Sequence, residues 1–106
     1  MTVRAPRHLK PSTRAWYRAV CDSYVLEDHH LRLLELAGVA WDRAEEARAI
    51  IAEHGTTYVD RFGAPRLHPA VNIERDSMAS FARLVKALDL DTEPPKSLGR
   101  PPGGGL

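Results

Sequence analysis

Apolar side chains recur at helical spacing in three separate stretches of the chain. The first stretch carries four large apolar or aromatic residues, Trp16, Tyr17, Val20 and Tyr24. Their spacing places them on one face of a helix, which we expect over roughly residues 13–24. Ser12 or Thr13 is the predicted cap of this helix, because a hydroxyl accepts hydrogen bonds from the free backbone N–H groups of a first turn.

The second stretch predicts an unusually long helix. Asp28 is a favourable N-cap and Gly55 a favourable stop, and a helix of about 27 residues between them would be about 40 Å long. It has two apolar stripes, Leu34, Ala37, Trp41, Ala44 and Ile51 in one and Leu33, Leu36, Ala40, Ala47 and Ile50 in the other. Two stripes need two partners, and we expect the second to be a neighbouring subunit. Gly38 weakens the helix and indicates either a slight bend or close helix packing.

Turn-forming and β-forming residues follow this helix. Residues 56–59 are mostly β-formers, Gly63 and Pro65 mark a turn, and Arg66 and Leu67 are suited to a returning strand. We therefore predict a short β-hairpin or an ordered loop. An isolated hairpin is marginal in water, so it is expected to lean on a helix or on a neighbouring chain.

A third helix is predicted to begin after the His68-Pro69 step and to end near Leu90. Proline suits the first helical position, and His68 stands where an N-cap would be. The apolar seam of this helix is Val71, Met78, Phe81, Val85 and Leu88. The predicted fold is mainly α, with a three-helix core, one long central helix and a short β-hairpin between helices 2 and 3.

Composition divides the chain into three segments. Residues 1–11 read as a basic extended arm, residues 12–91 as a helical core and oligomerisation domain, and residues 92–106 as a disordered tail rich in proline and glycine. A core of about 80 residues without disulfide or metal is marginally stable alone. Oligomerisation is therefore the expected source of additional stability.

Charge is unevenly distributed along the chain. The net charge is +1, from 15 basic and 14 acidic residues, yet residues 1–21 carry five cations and no carboxylate. The remaining residues carry a net charge of −4, with 10 basic and 14 acidic side chains. The neutral total excludes a protein that coats DNA indiscriminately, but a segregated cluster predicts contacts with phosphates. The predicted DNA-binding residues are Arg4, Arg7, Lys10, Arg14 and Arg18. The alternative is a solvated, disordered terminus.

Catalytic and metal chemistry has little support. The histidines lack the spacing of a zinc site, no phosphate-binding glycine loop occurs, and Cys21 reads as a small buried apolar residue. We therefore predict no enzyme activity, no cofactor and no metal. The chain also lacks an apolar run long enough to span a bilayer and a signal peptide, so the expected location is the cytoplasm.

Other nucleic-acid signals are weaker. Trp16 and Tyr17 are able to stack on bases, but their helical spacing favours core packing. Gly99-Arg100-Pro101 resembles the centre of an AT-hook without its flanking arginines. Two further functions stay open. One is a small helical protein interaction module with a proline-rich docking tail. The other is a transcription regulator with a helix-turn-helix, although the acidic start of the second helix, Glu27-Asp28, disfavours it.

An ordered set of residues over positions 9–90 resembles the P27 family of phage terminase small subunits. The set is Leu9, Pro11, Trp16, Asp28, Trp41, Ala44, Gly55, Gly63, His68-Pro69, Arg75-Asp76, Leu84, Leu88 and Leu90. The resemblance implies a non-catalytic subunit that binds double-stranded phage DNA in the host cytoplasm, forms a homo-oligomeric ring and recruits the large ATPase and nuclease subunit. The tail departs from the family pattern, in which a segment containing serine and arginine often follows the last helix.

Overall fold

Three helices and a two-stranded hairpin make up the protein, which we describe from a computed structural model over residues 4–90. The elements follow the chain as α1 (Pro11–Ser23), α2 (Asp28–His54), β1 (Thr57–Val59), β2 (Pro65–Leu67) and α3 (Pro69–Leu88). The predicted fold class is therefore confirmed, including the long central helix and the hairpin between helices 2 and 3. None of the helices described in this range has the length and apolar composition needed to cross a membrane.

The long helices α2 and α3 pack against each other in opposite directions. Arg48 of α2 is bonded to Glu74 near the start of α3, whereas Trp41, earlier in α2, packs on Phe81, later in α3. The hairpin connects the two helices at one end of this pair. Helix α1 packs on the same pair away from the hairpin, where Thr13 bonds Asp42 near the middle of α2 and the Trp16 ring lies 5.9 Å from that of Phe81 on α3.

Both helix starts in the first half of the chain differ from the predicted ones. Helix α1 begins at Pro11 with Lys10 as its N-cap, so Ser12 and Thr13 lie inside the helix rather than capping it. Helix α2 has Glu27, not Asp28, as its N-cap. The reason is a capping box, in which the Glu27 side chain accepts from the His30 backbone and His30 Nδ1 accepts from the Glu27 N–H at 3.1 Å.

The buried face of α2 is built largely from small residues. Leu34, Ala37, Ala40, Ala44 and Ala47 are buried, whereas Leu36, Trp41 and Ile50 remain exposed. Of the two stripes predicted from the sequence, each is thus partly covered and partly open within this chain. The expectation gives one whole stripe to the chain's own domain and the other to a neighbouring subunit, whereas both stripes contain exposed members.

Gly38 accommodates close packing of the N-terminal segment rather than a bend. A Cβ at this position would lie 3.1 Å from both methyl groups of Leu9 and from Cγ2 of Thr13. Leu9 is only 2% exposed and Ala5 is also buried. The segment from Ala5 onward therefore packs on the folded body, unlike the extended arm expected over residues 1–11, because Leu9 fits beside the glycine and Ala5 joins the buried core cluster.

The hairpin lies at the predicted position. Its two short strands pair in antiparallel fashion, with Tyr58 opposite Arg66. Its turn is held by Asp60, whose carboxylate accepts the backbone N–H groups of Phe62 at 2.8 Å and Ala64 at 2.9 Å. All six strand residues are exposed. The hairpin thus projects from the helices with apolar side chains open to solvent.

Helix α3 begins as the sequence predicts and ends in a left-handed turn. His68 is the N-cap, and its Nδ1 accepts from the Ala70 N–H at 3.0 Å. At the other end Asp89 has φ 57° and ψ 40°, and Leu90 packs against the core cluster that contains Leu88. Met78, although predicted to belong to the apolar seam, is exposed.

Candidate nucleic-acid interface

The five cations predicted to bind DNA differ in their environments. Arg4, Arg7 and Arg18 are exposed, whereas Lys10 and Arg14 are half-buried. All five precede or lie on α1, so they belong to one continuous segment of the chain. The exposed side chains are more accessible to a phosphate than the half-buried ones.

Arg14 forms hydrogen bonds that hold the preceding segment in place, in addition to carrying a charge at the surface. Its Nη1 atom donates to the carbonyl oxygen of Leu9 at 2.7 Å and to that of Arg7 at 3.2 Å. These bonds tie the segment before α1 to the helix and bring the Arg7 backbone beside Arg14. Arg18 lies one turn further along the same helix face, as side chains four residues apart do. We call Arg7, Arg14 and Arg18 the basic surface.

Lys10 is directed towards a different helix. Its Nζ lies 3.9 Å from Oε2 of Glu46 on α2, and its backbone N–H donates to Oδ2 of Asp42 at 2.8 Å. An exposed ion pair of this length contributes little to stability. Lys10 is therefore partly neutralised and is separated from the basic surface by its orientation.

The exposed arginines of the N-terminal segment form no ion pair with a carboxylate, as is also true of Arg43, Arg61 and Arg83 among the described residues. Four arginines of the body pair with carboxylates, Arg32 with Asp28, Arg48 with Glu74, Arg66 with Asp60, and Arg75 with Asp76. Between residues 4 and 90, no such ion pair involves Arg4, Arg7 or Arg18. Their charge is thus available to an external anion.

The aromatic residues beside this surface pack against other rings. Tyr17 is buried in the core, and Trp16 is half-buried with its ring 5.9 Å from that of Phe81. Burial raises the pKa of the Tyr17 hydroxyl, with smaller contributions from Cys21 and Glu35. The structure therefore favours a packing role for Trp16 and Tyr17 over stacking on bases.

A groove that the sequence did not indicate lies between the three helices. Trp16, Trp41 and Phe81 line a cavity of about 320 Å³, and Met78 lines a neighbouring one of about 120 Å³ that shares Trp41 and Phe81. We call these four residues the aromatic groove. The only signal in the sequence was that one aromatic residue from each helix falls near the middle of its element.

The hairpin tip carries a second feature absent from the sequence prediction. Phe62 is 79% exposed, and the Arg61 guanidinium lies 5.0 Å from the centre of its ring. Asp60 has a pKa below its ordinary value, chiefly because Arg66 bonds its side chain and because backbone N–H groups of the turn do the same. Several hydrogen bonds to Asp60 therefore hold the turn, which displays an aromatic side chain.

Side chains with catalytic or metal-binding chemistry are dispersed. Cys21 is half-buried against the core cluster, and burial, followed by the charge of Asp22, raises its pKa above the ordinary thiol value. A raised pKa disfavours the nucleophilic thiolate. No group of three or more potential metal ligands occurs within residues 4–90. Gly99-Arg100-Pro101, the AT-hook-like tripeptide, lies outside the described residues.

The start of α2 is unlike a recognition helix. Its N-cap Glu27 is engaged in the capping box with His30, and Arg32 is paired with Asp28 at 3.2 Å. The acidic end would face the phosphates of a major groove, which disfavours the helix-turn-helix alternative. The basic surface on α1 is therefore the better candidate for DNA contact.

Comparison with protein families matches residues 9–102 to the family described as phage terminase, small subunit. The match covers all three helices, the hairpin and most of the tail, and it begins after Arg4 and Arg7. Comparisons with curated proteins and with solved structures return no significant match.

Proposed function

The chain belongs to the phage terminase small-subunit family, and we propose that it is the non-catalytic DNA-recognition and regulatory component of a viral genome-packaging motor. In this proposal it is a member of the P27 group, acts in the host cytoplasm, and recruits a large subunit that supplies the ATPase and nuclease activities. The ordered residues over positions 9–90 support the P27 assignment.

The observation that carries DNA recognition is the basic surface. Arg7 and Arg18 are exposed and have no carboxylate partner among the described residues, while Arg14 holds the segment that carries Arg7 against α1. The bonds from Arg14 hold the Arg7 backbone next to α1, which supports the proposal that these cations act together as one surface. Arginine contacts of this kind position a protein on the phosphate backbone without reading the bases.

Self-assembly is supported by the apolar side chains that remain open. Leu36 is 55% exposed on α2, and it borders a shallow cavity of about 280 Å³ with Val39 of α2 and Leu84 of α3. The hairpin adds Val59 and Phe62, both well exposed. Exposed apolar side chains that gather in a patch mark an interaction site, and we propose that other copies cover those around Leu36 and at the hairpin in a closed ring.

A ring would strengthen weak DNA contacts. Each subunit contributes only a few cations, and the body as a whole is acidic. Several copies that engage one DNA gain avidity without a new type of contact. Assembly and DNA binding are therefore coupled in this proposal, since a monomer would hold DNA weakly.

The decisive experiment measures DNA binding at several salt concentrations. Fluorescence anisotropy with duplex DNA compares the full chain with the variant Arg7→Ala/Arg18→Ala. The matched control, Arg32→Ala/Arg75→Ala, removes two exposed arginines that have carboxylate partners. We expect the first variant to weaken binding and to lower the salt slope by about 0.9 for each phosphate that the protein no longer neutralises, while the control changes little. Equal losses in both variants, or no binding by the full chain at low salt, would refute the proposal.

A further inference from the structure

The aromatic groove is open to solvent although three helices contribute to it. Trp41 is 42% exposed and Met78 is 51% exposed, and the Trp41 and Phe81 rings lie 5.1 Å apart at an angle of 56°. Covering large apolar side chains of this exposure removes apolar surface from water, which is favourable in free energy. The shape is that of a shallow trough walled by rings rather than a closed cavity.

We propose that the chain's own C-terminal segment, residues 92–106, binds in the aromatic groove through its prolines. The segment contains two proline pairs, Pro94-Pro95 and Pro101-Pro102. Proline-rich segments adopt the polyproline II conformation at low entropic cost and dock in grooves lined by aromatic side chains. The chemistry of the segment and that of the groove are therefore matched.

The end of α3 starts the chain in a suitable direction. Asp89 has left-handed backbone angles, which turn the chain away from the helix axis. Leu90, the last described residue, packs against the same core cluster as Trp16. The segment thus leaves the described body at Leu90, beside the core cluster on which the groove residue Trp16 also packs.

The length of the segment is sufficient to reach the groove. Phe81 precedes Leu88 by two helical turns, which places it about 10 Å back along α3 at ~1.5 Å per residue. An extended proline-rich chain advances about 3.1 Å per residue, so Pro94 and Pro95 reach this level within four or five residues of Leu90. The second proline pair follows with length to spare.

Charge favours the same occupant. Glu45 lines both parts of the groove and forms no ion pair among the described residues. Arg48, which also lines it, is bonded to Glu74 at 2.9 Å. Over residues 92–106 the segment carries Lys96 and Arg100 against the single carboxylate side chain of Glu93. A cationic segment is therefore attracted to the groove, whereas the phosphates of DNA are repelled by Glu45.

Tryptophan fluorescence provides a direct test on the full chain. Trp16 and Trp41 are the two tryptophans of the protein, and both line the groove, whereas residues 92–106 contain no aromatic side chain. The test variant replaces all four tail prolines with serine. The control variant replaces the glycines at 103–105 with serine, which alters the tail without touching a proline or a charge.

We expect the four-proline variant to show a red-shifted emission maximum and stronger quenching by acrylamide, with the control unchanged. A synthetic peptide of residues 92–106 should reverse the shift in the four-proline variant, and Glu45→Lys should weaken that rescue.

Emission and quenching that are the same in wild type and four-proline variant would overturn the proposal. So would emission that depends on protein concentration but not on the prolines, because the groove would then be covered by a second copy. Neither outcome affects DNA binding, so this test is independent of the packaging role.

Discussion

The hydroxyl of Thr13 on α1 donates to Oδ1 of Asp42 on α2 at 2.5 Å, and both residues are buried. The other carboxylate oxygen accepts the backbone N–H of Lys10, the N-cap of α1. Asp42, a residue of α2, thus accepts hydrogen bonds from two donors at the start of α1. Its negative charge also lies at the positive end of the α1 dipole.

Replacement of Asp42 should loosen α1 and the segment before it. Asp42→Ala leaves the Thr13 hydroxyl and the Lys10 N–H without their acceptor, and we expect a loss of about 1–3 kcal/mol of folding free energy. Asp42→Asn keeps one acceptor and should lose less. Denaturant unfolding measures the loss, and faster trypsin cleavage after Arg7 locates it.

Asp28→Ala serves as the control for this prediction. It also removes an aspartate of α2, but one whose partner Arg32 is fully accessible to solvent, with 79% and 83% of the two side chains exposed. Such a pair contributes at most a few tenths of a kcal/mol, about the size of an exposed helix pair. Equal stability of the Asp42→Ala and Asp28→Ala variants would show that the buried contact does not anchor α1.

A side chain at Gly38 should displace the N-terminal segment. Gly38→Val adds three carbon atoms where even a Cβ would lie 3.1 Å from Leu9 and Thr13. We expect it to lower stability by about 1–3 kcal/mol, the usual cost of overpacking, despite the removal of a glycine from a helix. Thermal unfolding measures the change. Ala52→Val on the exposed side of α2 is the control, and a loss no greater than in this control would contradict the packing role of Gly38.

Periodicity was sufficient to predict the three helices and the hairpin, but not the docking of residues 5–10. The apolar spacing in each helix is a local signal, so it can be found without knowing what the helix contacts. The contacts of Leu9 with Gly38 and of Lys10 with Asp42 join positions about 30 residues apart. Asp42 gave no local signal, since an aspartate on a helix is usually exposed.

The candidate site was predictable in part for the same reason. Counting charges was enough to find the five N-terminal cations, because charge segregation is a property of the sequence. That Arg14 bonds the carbonyl oxygens of Arg7 and Leu9, and that Lys10 is near Glu46, depends on how the segment folds back. The aromatic groove likewise needs three helices in place before its rings meet.

The hairpin turn should loosen in acid because of Asp60. Arg66 and the backbone N–H groups of the turn hold the pKa of Asp60 below its ordinary value of 3.8. A carboxyl with a lowered folded-state pKa stabilises the fold above its unfolded pKa, and this contribution is lost as the pH falls through the lower folded value. We therefore expect faster amide exchange at Phe62 and Ala64 only below about pH 3.8, the ordinary value.

Nuclear magnetic resonance of the hairpin amides at several pH values tests this expectation. Asp60→Asn should remove the acid-dependent step and make the two amides exchange faster at neutral pH as well. Asp76→Asn, which changes an exposed aspartate paired with its neighbour Arg75, is the control. A step of the same size in the Asp60→Asn variant and in wild type would assign it to another group.

The proposed subunit contact makes a prediction about mass in solution. Leu36→Ser and Phe62→Ser each remove one exposed apolar side chain from a surface that we propose is covered by other copies. Because an assembly is stabilised by each apolar group that it buries and responds to concentration by mass action, each variant should dissociate at a higher concentration than wild type. Light scattering over a dilution series measures this shift. Val25→Ser is the matched control, since Val25 is 78% exposed but lies in the connection between α1 and α2. A wild-type chain that stays monomeric, or dissociation shifted equally in all three variants, would rule out this surface as the specific contact between subunits.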